Sequence, residues 1–142
     1  MPPLHPMIVH FPIALLTAGF LADIWALVFK ASDLSRTAWW SQLAGTIGLA
    51  AAVGSGLMAK ESAGIRDAFA ESVLGSHEQW ALGSMVIFSA LLFWRIASRT
   101  RLPVNPRFVF AGLYCIALVA LWLTAWHGGE LVYGLGVGVS PR

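Results

Sequence analysis

The sequence predicts an all-α membrane protein, a four-transmembrane-helix bundle. Three observations predict it. The chain has 142 residues, 58% of them hydrophobic and only 11% charged, where a soluble domain carries roughly 25% charged residues. Mean hydropathy is +0.73. A soluble chain this short could not hide so much apolar surface, so its solvent must be lipid. Finally, four apolar runs are each long enough to cross about 30 Å of hydrocarbon at about 1.5 Å per residue. The backbone in lipid must bond internally, and a barrel would show alternation, so the runs are helices. The length fits one integral membrane domain over residues 1–142.

The first span covers roughly residues 6–29. His5 sits at its cap and Pro6 in its first turn, where proline costs no hydrogen bond. No signal peptide is expected before it, because a basic n-region is missing and the apolar run is too long. The second span covers roughly 37–58, where Ala44, Gly48, Ala52 and Gly56 recur every four residues. Such a stripe lets helix backbones approach closely, and it also leaves room for a flat ligand. The third and fourth spans cover roughly 77–96 and 107–127. Between the second and third, Ile65, Phe69 and Val73 alternate with Arg66, Asp67 and Glu71, the pattern of a short amphipathic helix lying on the membrane face. The glycine-rich tail after His127 argues against continued helix. It is expected to fold across the same face as a loop.

An even number of spans puts both termini on one side. The opposite side carries Lys30, Arg36, Arg95, Arg99, Arg101 and Arg107, against Lys60, Arg66 and Arg142 on the terminal side. The positive-inside rule makes the more basic side cytoplasmic. Both termini, the amphipathic connection and the tail are then periplasmic, in a multi-pass protein of a bacterial inner (cytoplasmic) membrane. Trp25, Trp39, Trp40 and Trp94 read as an interfacial belt. Trp80, Trp122 and Trp126 lie toward the terminal side and are candidates for a pocket lining as well as for the belt.

Histidine carries the chemistry. The chain has four, and this topology places His5, His10, His77 and His127 within about two turns of one membrane face, on three helices. Ionisable residues in such positions are functional candidates, and a neutral imidazole binds iron, copper or zinc. His5 and His10 are five residues apart, so an unbroken helix points them about 140° apart. They would not share one ion, and each must look to another helix. Two ligands from different helices clasping a haem demand less local geometry, and helical bundles commonly build such sites. The leading expectation is therefore a small b-type cytochrome for electron transport, with one haem b in preference to two. His10 and His127 are the first axial pair, and His77 and His5 form a second pair or bond propionates. Lys60 and Arg66 are candidate propionate partners; Glu78 and Glu130 are candidate orienting groups. The alternatives are a copper, zinc or non-haem iron site on the same histidines, and a cofactor-free structural subunit of a redox or transport complex. Asp23, in the cytoplasmic half of the first span, either pairs with Arg95, faces water, or relays protons.

Other classes fall away. A net charge of +2 and the lack of a basic run with interleaved aromatics give no footprint for nucleic acid. The single cysteine, Cys115, excludes an intrachain disulfide and reads as a packing residue. There is no phosphate-cradling glycine loop, serine elbow, covalent-haem motif or zinc helix. Expected partners are the lipid bilayer, a periplasmic or membrane redox protein, and a second copy of the chain.

The opening His5-Pro6-Met7-Ile8-Val9-His10-Phe11-Pro12-Ile13-Ala14 and the closing Gly128-Gly129-Glu130-Leu131-Val132-Tyr133-Gly134 with Gly136-Val137-Gly138 resemble the bacterial predicted membrane proteins grouped as domain-of-unknown-function family 2231. The likeness spans nearly the whole chain. The family name implies no activity. Similar domains occur fused to Rieske iron–sulfur or cytochrome c domains, which implies redox work by association. The four histidines match the family's histidine positions.

Overall fold

The computed structural model describes residues 4–30, 32–63, 65, 67–99 and 107–138. Five α-helices follow one another: α1 (Leu4–Ile8), α2 (His10–Phe29), α3 (Ser32–Ala63), α4 (Ala68–Ala97) and α5 (Arg107–Gly129), and a π-helical turn, Glu130–Gly134, extends α5. No strand occurs among the described residues. Four helical segments, His5–Phe29, Asp33–Lys60, Ala68–Ala97 and Arg107–Gly134, are long and apolar enough to cross a membrane.

The first predicted span is one crossing with one bond missing from its ladder. Pro12 has no N–H for the Ile8 carbonyl, and its ring crowds that carbonyl. Val9 nevertheless stays helical, φ −61° and ψ −26°, and its N–H reaches the His5 carbonyl at 3.2 Å, so α1 runs on into α2. α2 ends at Lys30 in the left-handed conformation, φ 54°, which turns the chain directly into α3.

α2 and α3 form one close antiparallel hairpin, and α4 and α5 form another. Glycines set the first contact. A Cβ on Gly45 would lie 2.7 Å from the Leu16 side chain, one on Gly48 3.6 Å from Pro12, and one on Gly19 3.2 Å from Ser41. The packing stripe therefore runs one residue out of the predicted phase at its start: Ala44 is exposed, and Gly45 makes the close approach. Where the hairpins meet, Leu16, Leu49, Phe88, Leu91, Phe110, Tyr114, Leu118 and Leu121 form the core. The Tyr114 hydroxyl donates to the Leu16 carbonyl at 3.1 Å, from one hairpin to the other. Large apolar side chains elsewhere, such as Leu21, Val86, Phe93 and Ile116, face outward, as lipid-facing surface should.

At the basic end a polar cluster ties the hairpins together. Arg95 is completely buried, and so is Gln42. The guanidinium donates to both carboxylate oxygens of Asp23 at 2.5 and 2.9 Å, to Gln42 Oε1 at 3.0 Å and to the Ser35 carbonyl at 3.3 Å. The expected Asp23–Arg95 pairing is what the structure shows. Buried charge of this kind persists only when paired and hydrogen-bonded.

Two expectations are corrected. The connection between the second and third spans is not a separate surface helix. Its amphipathic residues from Phe69 onward are the first turns of α4. Asp67 caps that helix, its carboxylate accepting from the Ala70 N–H at 2.8 Å, as an N-cap aspartate does. The second correction concerns the tail, which stays helical through Gly129 and then widens into the π turn. Leu135 N–H bonds the Glu130 carbonyl at 3.0 Å and Val137 N–H the Leu131 carbonyl at 2.8 Å. A glycine costs a helix about 1 kcal/mol, but an unbonded peptide group in hydrocarbon costs several. Only at Gly136 and Gly138, with φ 66° and 75°, does the chain use glycine's freedom.

Candidate functional site

Three of the four histidines come together at the end of the bundle that holds the N-terminus and the end of α5. α1 carries His5 onto α3, where the ring lies against Gly56; a Cβ there would be 2.9 Å from His5 Cε1. α4 carries His77 against α5, where a Cβ on Gly128 would be 3.1 Å from His77 Cε1. The glycines of the last stripe position and of the tail motif thus make room for imidazoles. The His5 and His77 rings face each other across the seam between the hairpins, with centroids 6.1 Å apart and planes at 90°. His127, on α5, lies within electrostatic range of His77.

The hydrogen bonds fix which nitrogen each ring offers. His77 Nδ1 lies 2.9 Å from the Thr124 carbonyl, and His127 Nδ1 lies 2.7 Å from the Leu123 carbonyl. A carbonyl only accepts, so both Nδ1 atoms carry the proton. His5 Nδ1 lies 3.1 Å from Ser55 Oγ, and that hydroxyl already donates to the Ala52 carbonyl at 2.9 Å. With that hydroxyl turned to the Ala52 carbonyl, and the same carbonyl a hydrogen-bond partner of the His5 ring, Nδ1 of His5 is placed as a donor as well. In each neutral ring Nε2 is left as a bare lone pair. A tethered Nδ1–H with a free Nε2 is how proteins present histidine to a metal.

His10 is exposed on the outer face of α2's first turn, outside this cluster. His5, five residues earlier, lies on the inner side against Gly56 and meets His77 there. Lys60 and Glu78 pair at 2.8 Å, joining α3 to α4 beside His77. Lys60 is thereby engaged by a carboxylate, and Glu78 faces the ammonium. Glu130 is half-buried at the start of the π turn, and no hydrogen bond joins it to a histidine among the described residues. Arg66 lies outside the described residues. Trp80, Trp122 and Trp126 are exposed, which suits the interfacial belt and leaves the site lined by histidine, serine and glycine. Among the described residues, no three histidine, cysteine or acidic side chains converge tightly enough to hold a metal ion by themselves.

Sequence reading had no signal for Ser55, whose hydroxyl meets the His5 ring. Ser55 sits one residue before the last glycine of the stripe, and that offset is where an oxygen for Nδ1 could have been sought. His77 is held by the backbone carbonyl of Thr124, which any residue type would supply.

In a comparison with known families, the model of a family described as "Predicted membrane protein (DUF2231)" matches residues 1–141. No curated protein and no solved structure matches the chain.

Proposed function

The chain belongs to the DUF2231 family of predicted membrane proteins, and on the chemistry of its histidine cluster we propose that it is a small b-type cytochrome of the bacterial inner membrane. One haem b would be held by His5 and His77 near the periplasmic face. The observation that carries this reading is the pair of imidazoles on different helices, with centroids 6.1 Å apart and planes at 90°. At metal–imidazole bonds of about 2.0–2.1 Å, two rings on opposite sides of one metal have centroids about 6 Å apart. The incomplete ligand set supports the same choice. A porphyrin supplies four bonds to its iron and asks the protein for two axial ligands, whereas an ion bound by side chains alone asks for more than this cluster brings together.

Bound there, haem supplies a reversible one-electron change at iron. The protein's residues do the rest. Ser55 and the Thr124 carbonyl hold the two Nδ1–H groups, so each Nε2 stays unprotonated and aimed by a fixed ring. Gly56 and Gly128 admit the rings. Lys60 is the nearest candidate to exchange its Glu78 partner for a propionate. A periplasmic or membrane redox protein would exchange electrons at this end.

A second reading rests on His127. It lies within electrostatic range of His77, with its Nδ1 held by the Leu123 carbonyl, so it would give a non-haem copper, zinc or iron site a third imidazole if the helices moved to bring it in. The optical spectrum of the purified protein tests both. A Soret band that moves on reduction, lost in both His5→Ala and His77→Ala and kept in His10→Ala, is expected. A colourless protein with stoichiometric copper, zinc or iron would replace haem by the second reading. A protein empty of both after expression with added haem and metals would leave a structural subunit of a larger complex.

A further inference from the structure

The ion pair beside the histidines lies across the seam that they share. Lys60 Nζ and Glu78 Oε2 are 2.8 Å apart. Lys60 follows Gly56 by four residues on α3, so the two stand one above the other on the same face. Gly56 is where the His5 ring rests. Glu78 is the residue after His77 on α4. The pair therefore crosses from α3 to α4 just above the rings. A disc ligated by both imidazoles would lie in this same seam. Its carboxylate edge would turn to the polar end, because burying charge in hydrocarbon is costly. That edge meets the Lys60 ammonium where Glu78 already holds it.

We propose that Glu78 is a built-in competitor of haem, holding Lys60 across the seam and yielding it to a propionate on binding. The inference rests on the haem reading of the site and adds to it a residue that lowers affinity and keeps loading reversible. Glu78 and a propionate bring like charge to one ammonium, and like charges in one place repel, so what one gains the other loses. The exposure of the pair suits this role. With the Lys60 side chain 50% and Glu78 25% exposed, their attraction is worth about fivefold in an equilibrium or less. That weakens binding without preventing it. The Arg95–Asp23 pair is the opposite case: it is buried, and its partners cannot part without stranding a charge.

Haem titration of the haem-free protein in detergent tests this in K60Q, E78Q and the double variant. E78Q frees Lys60 and should bind haem about twofold to fivefold more tightly than the unaltered protein. K60Q should bind it more weakly. Adding E78Q to K60Q should bring no gain, because the competition needs the ammonium. Haem dimethyl ester has no free carboxylate, and K60Q should not weaken its binding. Thermal unfolding of the four haem-free proteins reads the pair itself and should show Lys60 and Glu78 coupled. An E78Q variant that binds haem no more tightly than the unaltered protein would overturn the proposal. So would a gain from E78Q that persists without Lys60, which would mark a general effect of charge, or unfolding that shows no coupling. An unaltered protein that takes up no haem would remove the haem reading itself, and this inference with it.

Discussion

At the scale of single residues, position along a helix matters less than what stands opposite. His5 and His77 occupy the seam because glycine faces each of them. Gly56→Ala would put a Cβ 2.9 Å from the His5 ring, and the ring would have to leave. Haem affinity should fall about tenfold or more, the equivalent of about 1.4 kcal/mol, with helix content unchanged by circular dichroism. Gly54→Ala, with open space beside it, is the matched control and should retain haem fully. Ser55→Ala removes the acceptor for His5 Nδ1–H. It should loosen the ring and raise the off-rate of haem, read by transfer to an apo acceptor protein. The sequence made the gathering of histidines legible, because spans and topology alone bring His5, His77 and His127 to one end. It did not show which member of the His5/His10 pair turns inward. That depends on what stands opposite, Gly56 on α3 for His5 and no packed neighbour for exposed His10, which a count of residues per turn does not contain.

At the scale of elements, proline and glycine act against their usual reading. Pro12 lies inside a membrane-crossing segment, where interior proline costs a helix about 3 kcal/mol. Here the cost is one missing bond, from the Ile8 carbonyl, in a backbone that stays helical at Val9. Pro12→Ala should restore that bond and leave the thermal midpoint unchanged or raised with haem retention intact; a variant that loses haem would show that the proline sets the position of His5. Span lengths were legible to within a few turns. Helix ends were not, for a physical reason. Hydropathy marks where lipid is, while hydrogen bonding decides where helix stops, and α3, α4 and α5 all continue past their apolar stretch into residues such as Glu71, Ser76 and Gly129.

At the scale of the whole molecule, two hairpins are pinned at both ends by polar groups: Arg95 with Asp23 and Gln42 at one, the histidines and the Lys60–Glu78 pair at the other. Arg95→Met would strand the Asp23 carboxylate in a dry interior and should destabilise the fold by about 3–5 kcal/mol. Asp23→Leu combined with Arg95→Met removes both charges and should recover most of that loss, as measured by reversible denaturation in detergent. The pair Asp23–Arg95 was legible from the topology, since both lie in the basic half of their helices. Gln42 and the Ser35 carbonyl were not, because a glutamine in an apolar run announces no partner. Orientation in the membrane has a direct check: a reporter fused after Arg142 should read periplasmic, and a cytoplasmic signal would reverse the assignment of both faces.

The extra length of α3 and α4 has its own consequence. Past Gly56, α3 climbs seven more residues to Ala63, and α4 starts nine residues before His77. At about 1.5 Å per residue these two ends rise about 10–13 Å above the rings. The turn after α5 rises with them, since it runs on to Gly134 and packs against α4. A globular visitor landing on this face would meet that rim of α3, α4 and the π turn before it met the rings, so the distance of approach is built into the lengths of the helices.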